Sequence, residues 1–301
     1  MIDVSSRGWL LFVAMSIIWG IPYLMIKVAV EGVSVPVLVF ARTAVGAAVL
    51  LPLVLKTGIP AMIREHWKAL LGFSFFEIIA AWFLISDAER HLTSSMTGLL
   101  IAAAPIIAAI LDRFTGGEQH LGFRRVLGLG IGLAGVAVLA GPHLVGGSAW
   151  PIIEVLMVAT CYAIAPLIAA RHLRDVPALP MTATCLGFGA LVYAAPAAAT
   201  WPTEIPSPRV LSALAGLAII CTALAFIVFF ALIREVGAAR ALVFTYVNPA
   251  VALLAGVIVL NEPLTAWNVA ALLLILVGCV LATHRPGEAV PDPQRDEHVA
   301  R

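Results

Sequence analysis

Charged side chains are scarce in this chain of 301 residues. Asp, Glu, Lys and Arg make up 12% of it, about half the share found in ordinary soluble domains. Basic and acidic residues nearly balance, 18 against 17, and the formal net charge of +1 removes any global electrostatic case for nucleic acid or for an acidic partner. Cysteine is scarce as well. Cys161, Cys185, Cys221 and Cys279 all lie inside apolar runs, share no metal-ligand spacing, and read as small core residues rather than a disulfide or zinc set. Also missing are a Walker loop, a glycine-rich dinucleotide turn, a nucleophile elbow and a His-Glu-x-x-His pair. Their absence argues against ATP hydrolysis and against an enzyme, and no cofactor or metal is implied.

What the chain has instead is apolar surface. Apolar residues make up 62% of it and the mean hydropathy is +1.04, far outside the range of a soluble domain. A hydrocarbon core about 30 Å thick needs roughly 20 apolar residues per helix. Ten stretches qualify, near 9–30, 36–55, 67–86, 93–111, 124–142, 149–170, 179–199, 210–233, 238–260 and 265–283. The first carries no small-residue cleavage pattern and is expected to stay as a spanning helix. Turn formers and charges fill the connections, as in Lys56-Thr57-Gly58, Gly116-Gly117-Glu118 and Pro202-Thr203-Glu204-Ile205-Pro206. The polar, proline-bearing stretch 285–301 reads as a disordered cytoplasmic tail. With the N-terminus in the cytoplasm, fourteen Lys and Arg residues fall on that side, and only Lys27, Arg42, Arg90 and Arg209 on the other. That asymmetry puts both termini in the cytoplasm.

Five of the six prolines in the first 142 residues recur 144 positions later: Pro22, Pro36, Pro52, Pro105 and Pro142 answer to Pro166, Pro180, Pro196, Pro249 and Pro286. The same ungapped offset pairs Lys27 with Arg171, Gly72 with Gly216, Arg90 with Arg234 and Glu118 with Glu262. A register held over so long a stretch indicates a duplicated unit. Each unit contains five spans, so the second copy enters the bilayer from the opposite side. The expected fold is all-α and integral to the membrane: ten transmembrane helices in two inverted five-helix repeats, 1–142 and 149–284, both termini cytoplasmic. Inverted repeats are typical of carriers that expose a midplane site to each side in turn.

Several of these residues carry a family resemblance. Trp19-Gly20 followed by Lys27, Arg42 in the second helix, and the doubled pattern of Pro105 to Glu118 and Pro249 to Glu262 make the chain similar to the EamA-type branch of the drug/metabolite transporter superfamily, over about residues 9–283. It departs from the family at Asp112-Arg113-Phe114, usually apolar, and at Leu272–Leu276, which lacks counterparts of Gly128, Gly130 and Gly132. The resemblance implies ten helices, two EamA units, secondary transport and, for many bacterial members, export of amino acids or related small metabolites.

The candidate site residues follow from polarity at depth. Glu77 sits between Phe75, Phe76, Ile78 and Ile79, where a carboxyl is costly unless it faces a cavity, pairs or stays protonated. It reads either as a proton-coupling or ammonium-binding group, or as a hydrogen-bonded packing residue. Asn248 precedes Pro249, whose ring frees backbone carbonyls one turn earlier. Ala241, Thr245, Asn248 and Ala252 share a helical face, matched by Thr97, Ile101, Ala104 and Ala108; such faces serve helix contacts or substrate, and point inward either way. Pro22 and Pro166 suggest matching interruptions in the first helix of each unit. Trp19, Tyr23, Trp82, Tyr162 and Phe226 are candidate aromatic walls, and Thr222 a polar one. Gly128-x-x-x-Gly132 allows close backbone approach, as scaffold or dimer contact. Lys27, Arg42, Arg90, Arg171 and Arg234 read by default as snorkelling to the headgroups, with Arg42 the least comfortable in that role.

The composite expectation is a non-ATP transporter of the cytoplasmic (inner) membrane, exporting amino acids or related metabolites by alternating access. Its partners are a small-molecule substrate and the lipid bilayer, with protons as a candidate coupling ion. Uptake, a membrane-embedded enzyme and a non-transporting assembly partner are the alternatives. Cysteines placed at 116–120 and at 261–263 are expected to label from opposite sides of the membrane; labelling of both from one side would defeat the inverted topology.

Overall fold

The apolar runs fold as helices, and no strand occurs among the described residues, 5–114, 123–145 and 149–283, of the computed structural model. The 116–118 connection, Glu118 and the 285–301 tail lie outside them. In chain order the helical segments are α1 (Ser6–Ala29), α2 (Val35–Val54), α3 (Ile59–Ala88), α4 (94–114), α5 (Phe123–Val145), α6 (Ala149–His172), α7 (Ala178–Ala199), α8 (Pro208–Val236), α9 (238–260) and α10 (Ala266–Thr283). Among the described residues, seven helices are long and apolar enough to cross a membrane; Val126–Gly141 in α5, Asn248–Leu260 in α9 and Ala266–Ala282 in α10 are shorter apolar helices. The α3 helix starts at Ile59, well before the expected 67, because Gly58 adopts a left-handed conformation just ahead of it and Pro60 suits a first turn.

Helix starts follow capping chemistry. Ser5, Ser34, Thr93 and Ser207 each accept an N–H three residues on, from Gly8, Val37, Met96 and Val210. Such caps satisfy donors that have no helical acceptor.

Three helices are interrupted ahead of a proline. The first breaks between Ile18 and Pro22, α4 between Ile101 and Ala104, and α9 passes through a 3₁₀ turn, Leu242–Tyr246, before Asn248–Leu260. The expected matching break at Pro166 does not occur: α6 runs from Ala149 to His172 with that proline inside it. Gly20 lets α1 tighten, its N–H reaching Ile17 O at 3.0 Å, whereas Ala163-Ile164-Ala165 ahead of Pro166 continue as helix. Two helices widen instead. A π segment covers Phe75–Ile79 in α3 and another covers Gly216–Leu224 in α8. Shifted by 144 positions, the first falls inside the second.

Packing follows an exchange rule. The helix pairs α2 with α7, α4 with α9 and α5 with α10 are in contact; α1 packs on α8 and α9, and α6 packs on α3 and α4. Replacing each helix by the one five places on leaves those contacts unchanged. Other contacts lack a mirror image of comparable extent, among them the second half of α1 on α4, α4 on α10, and α5 on α4 and α6. The outer surface is apolar, with Leu10, Leu53, Leu133, Leu191, Ile258 and Leu273 all exposed, a face suited to acyl chains rather than water. Trp9, Trp67, Trp150, Trp201 and Trp267 are exposed near helix ends, where amphipathic rings favour the headgroup level.

The closest helix contact joins α5 to α10. The glycine spacing at Gly128 and Gly132 serves this internal contact: a Cβ on Gly278 would collide with backbone atoms of Gly132, and one on Gly128 would meet Ala282 N at 2.5 Å. Gly278→Ala is expected to destabilise the protein by about 1–3 kcal/mol, read as a lower unfolding midpoint in detergent. Gly130→Ala, where nothing lies within 4 Å of the added carbon, is expected to leave it unchanged or raised.

Candidate functional site

Arg42 projects from the middle of α2 into the interior with 7% of its surface exposed. It does not snorkel. Its Nε donates to Thr222 Oγ1 at 2.9 Å, and its guanidinium carbon lies 3.6 Å from the ring centroid of Trp82. Thr222, in the α8 π segment, donates its own hydroxyl to Leu217 O at 2.8 Å, leaving the oxygen's lone pairs for arginine. Trp82 follows the α3 π segment by one turn. One contact that holds the guanidinium thus comes from within a widened segment and the other from the turn that follows one. Such segments recur at functional sites because they redirect side chains.

Tyr162, Cys221, Tyr23 and Glu89 are the groups whose electrostatics bear on Arg42. Tyr162 also feels Glu77. Glu77 is half-buried in the α3 π segment and acts on Cys161 and Cys185 as well. The carbonyl of Ile79, at the end of the α3 π segment, accepts from Tyr193 on α7 at 2.7 Å. Arg42, Glu77, Trp82, Tyr162, Tyr23 and Thr222 are thus gathered where α1, α2, α3, α6 and α8 meet. The ion pairs within 4.0 Å among the described residues are Arg7–Glu235, His66–Glu65 and Arg90–Asp87, so neither Arg42 nor Glu77 has a charged partner at that range.

Other candidates lie elsewhere. Trp19 packs against Phe226, Phe229 and Phe244, with ring centroids 5.0–5.7 Å away. Thr97 is fully buried and bonds back to Thr93 O; beside it, Gly98 packs tightly on Ala252 of α9. Thr245 bonds to Leu242 O in its own turn. The Asn248 amide, oriented to satisfy its surroundings, donates to Phe244 O at 3.1 Å and to Ser16 O at 3.2 Å, tying α9 to α1. A cavity of ≈ 250 Å³ opens beside Val30, Ser34, Phe83, Asp87 and Arg90, and one of ≈ 200 Å³ beside Leu111, Leu167 and Arg171. Neither is lined by Arg42 or Glu77.

Sequence reasoning missed two groups and misread a third. Glu89 is completely buried, with neither carboxylate oxygen hydrogen-bonded; in sequence it sits among Asp87, Arg90 and His91 and reads as an exposed connection. Lys27 does not snorkel: its Nζ donates to Glu89 O at 2.7 Å and Leu92 O at 2.8 Å, stitching α1 to the turn between α3 and α4. Glu262, noted only as part of a doubled motif, caps α4 from the α9–α10 connection. It accepts the backbone N–H of Ser94 at 2.7 Å and of Ser95 at 2.9 Å, and both hydroxyls as well. A carboxylate on four donors at a helix N-terminus is charge-assisted and favoured by the helix dipole.

The EamA-like transporter family profile matches residues 6–141 and again 149–283. An Escherichia coli K12 protein named only as an uncharacterized inner membrane transporter, YedA, is 26% identical over 273 residues, covering 90% of this chain and 88% of the relative. An uncharacterized Bacillus subtilis transporter, YvbV, is 24% identical over 286 residues, covering 92% of each. A crystal structure at 20% identity superposes with a TM-score of 0.66, covering 92% of this chain and 97% of the other, a likeness of fold alone.

Glu262→Gln keeps the shape but removes the charge from this cap, and is expected to cost about 1–3 kcal/mol, measured as a lower unfolding midpoint. Gly256→Ala is expected to do the same, because its methyl would run into the Glu262 carboxylate and the Ser95 hydroxyl.

Proposed function

Because the chain belongs to the EamA-like transporter family and is a multi-pass membrane protein with a small-molecule substrate, we propose that it is a secondary exporter of amino acids or related small metabolites. In this reading it resides in the cytoplasmic membrane with ten spans and both termini in the cytoplasm, and alternates between inward-open and outward-open shapes. What supports the reading above all is the exchange rule of the packing: two halves of like connectivity meet around a buried polar cluster. Two such halves, entering from opposite faces, can trade conformations about a shared site. The names of the relatives point the same way, to transport rather than catalysis.

Within this scheme Arg42, Tyr23, Trp82, Tyr162 and Thr222 form the wall of the site, with Glu77 across Tyr162 as an acidic pole for an ammonium group or a proton. The Trp19–Phe226 cluster and the Asn248 link to Ser16 are the tight contacts that rearrange as one side opens. Energy comes from the solute gradient or a coupled proton, since no nucleotide motif is present.

Proteoliposomes containing the purified chain are expected to move radiolabelled amino acids down their gradient faster than empty vesicles. Failure across a broad panel of amino acids and related metabolites would remove the export assignment. Glu77→Gln is expected to flatten the pH dependence of that flux while turnover persists at neutral pH; an unchanged profile at full turnover takes Glu77 out of the mechanism.

A further inference from the structure

Arg42 is a buried cation with no carboxylate in direct contact. A guanidinium stays protonated inside proteins, so it cannot escape burial by losing its charge as a lysine or glutamate can. Buried cations are ordinarily paired, and an unpaired one is costly. Around Arg42 no such pair exists: no described carboxylate oxygen comes within 4.0 Å. Glu89 bears on it electrostatically, yet both Glu89 oxygens are sealed without a hydrogen bond. Lys27, the other cation here, is already committed to the carbonyls of Glu89 and Leu92.

The contacts that Arg42 does make fix its orientation. Nε is taken by Thr222 and one face by Trp82. That leaves the edge formed by the two terminal nitrogens, for which no hydrogen bond exists among the described residues. Those nitrogens are also absent from the sealed, unpartnered atoms, which belong to Glu89, Glu154 and Thr184, so they keep some accessible surface. A planar fork of N–H donors, held on one side and on one face, matches the two in-plane oxygens of a carboxylate.

We infer that the free edge of Arg42 is the recognition point for a carboxylate on the transported molecule. The assignment rests on the transport reading above and supplies what it lacks, the chemical group that the site selects. A carboxylate suits the single available cation better than a phosphate dianion, which calls for more positive charge than Arg42 alone provides once Lys27 is committed. The ligand completes the pair that the fold leaves open, so its binding is favoured by the same term that makes the empty site costly.

The test compares each of the proteinogenic L-amino acids with its carboxamide, which keeps shape and ammonium but loses the negative charge. Binding is read on the purified full-length chain in detergent, from tryptophan fluorescence and the shift in unfolding midpoint. At least one acid is expected to bind about ten-fold or more tightly than its amide. Arg42→Gln is expected to abolish that preference and Arg42→Lys to keep part of it. Thr222→Val, which removes the bond to Nε but not the charge, is expected to weaken the acid several-fold while preserving the preference, so the result does not depend on the folding of one variant. Amides binding as well as acids, a tighter phosphomonoester, a preference that survives Arg42→Gln, or no binding by any acid in the panel each overturns the assignment. Flux is read separately on proteoliposomes: acid-selective binding without any flux leaves the Arg42 assignment standing and fails the transport reading instead.

Discussion

In hydrocarbon there is no water to take up a hydrogen bond that the protein leaves unmade, and the architecture follows from that constraint. It selects helices, in which each segment satisfies its own backbone. It also explains why departures from regular helix are met by side chains: Tyr193 answers the Ile79 carbonyl, Thr222 answers Leu217, and Asn248 answers Phe244 and Ser16. Even Glu262, in a connection rather than a helix, is consumed in capping α4. Against that background the groups left unmet are few: the open edge of Arg42, and among the sealed atoms those of Glu89, Glu154 and Thr184.

Close packing in such a medium cannot rely on water to drive helices together, so small residues do the work of letting backbones approach. Gly128, Gly132 and Gly278 do this between α5 and α10, and Gly98 with Ala252 between α4 and α9. The α4–α9 pair also borders the Arg42 surroundings, since Gly98 packs on Tyr23. The contacts that hold Arg42 itself come from α3 and α8, the two helices with π segments.

Much of this was legible in the chain. Long apolar runs bounded by Ser, Thr, Gly and Pro located the helices within a few residues except at the start of α3, because length and capping are local properties. The importance of Tyr23, Trp82, Tyr162 and Thr222 could be guessed from polar or aromatic character at depth, but not their arrangement around one cation. Glu89 was hidden because its neighbours Asp87, Arg90 and His91 are those of an exposed turn. Lys27 and Arg42 read by default as snorkelling residues, since reach toward a headgroup and reach toward a neighbouring helix have the same sequence signature.

Composition and periodicity by themselves determined that this chain lives in a bilayer as a bundle of helices, since burying apolar side chains and pairing backbone groups depend only on local sequence. The interval of 144 residues between matching prolines likewise marked a doubled plan before any coordinates. Which proline breaks its helix, where the ladder widens, and which charge is left without a counter-charge were decided only by tertiary packing. Each depends on what a neighbouring helix, remote in sequence, offers at a few ångströms, as Thr222 does for Arg42 across 180 residues.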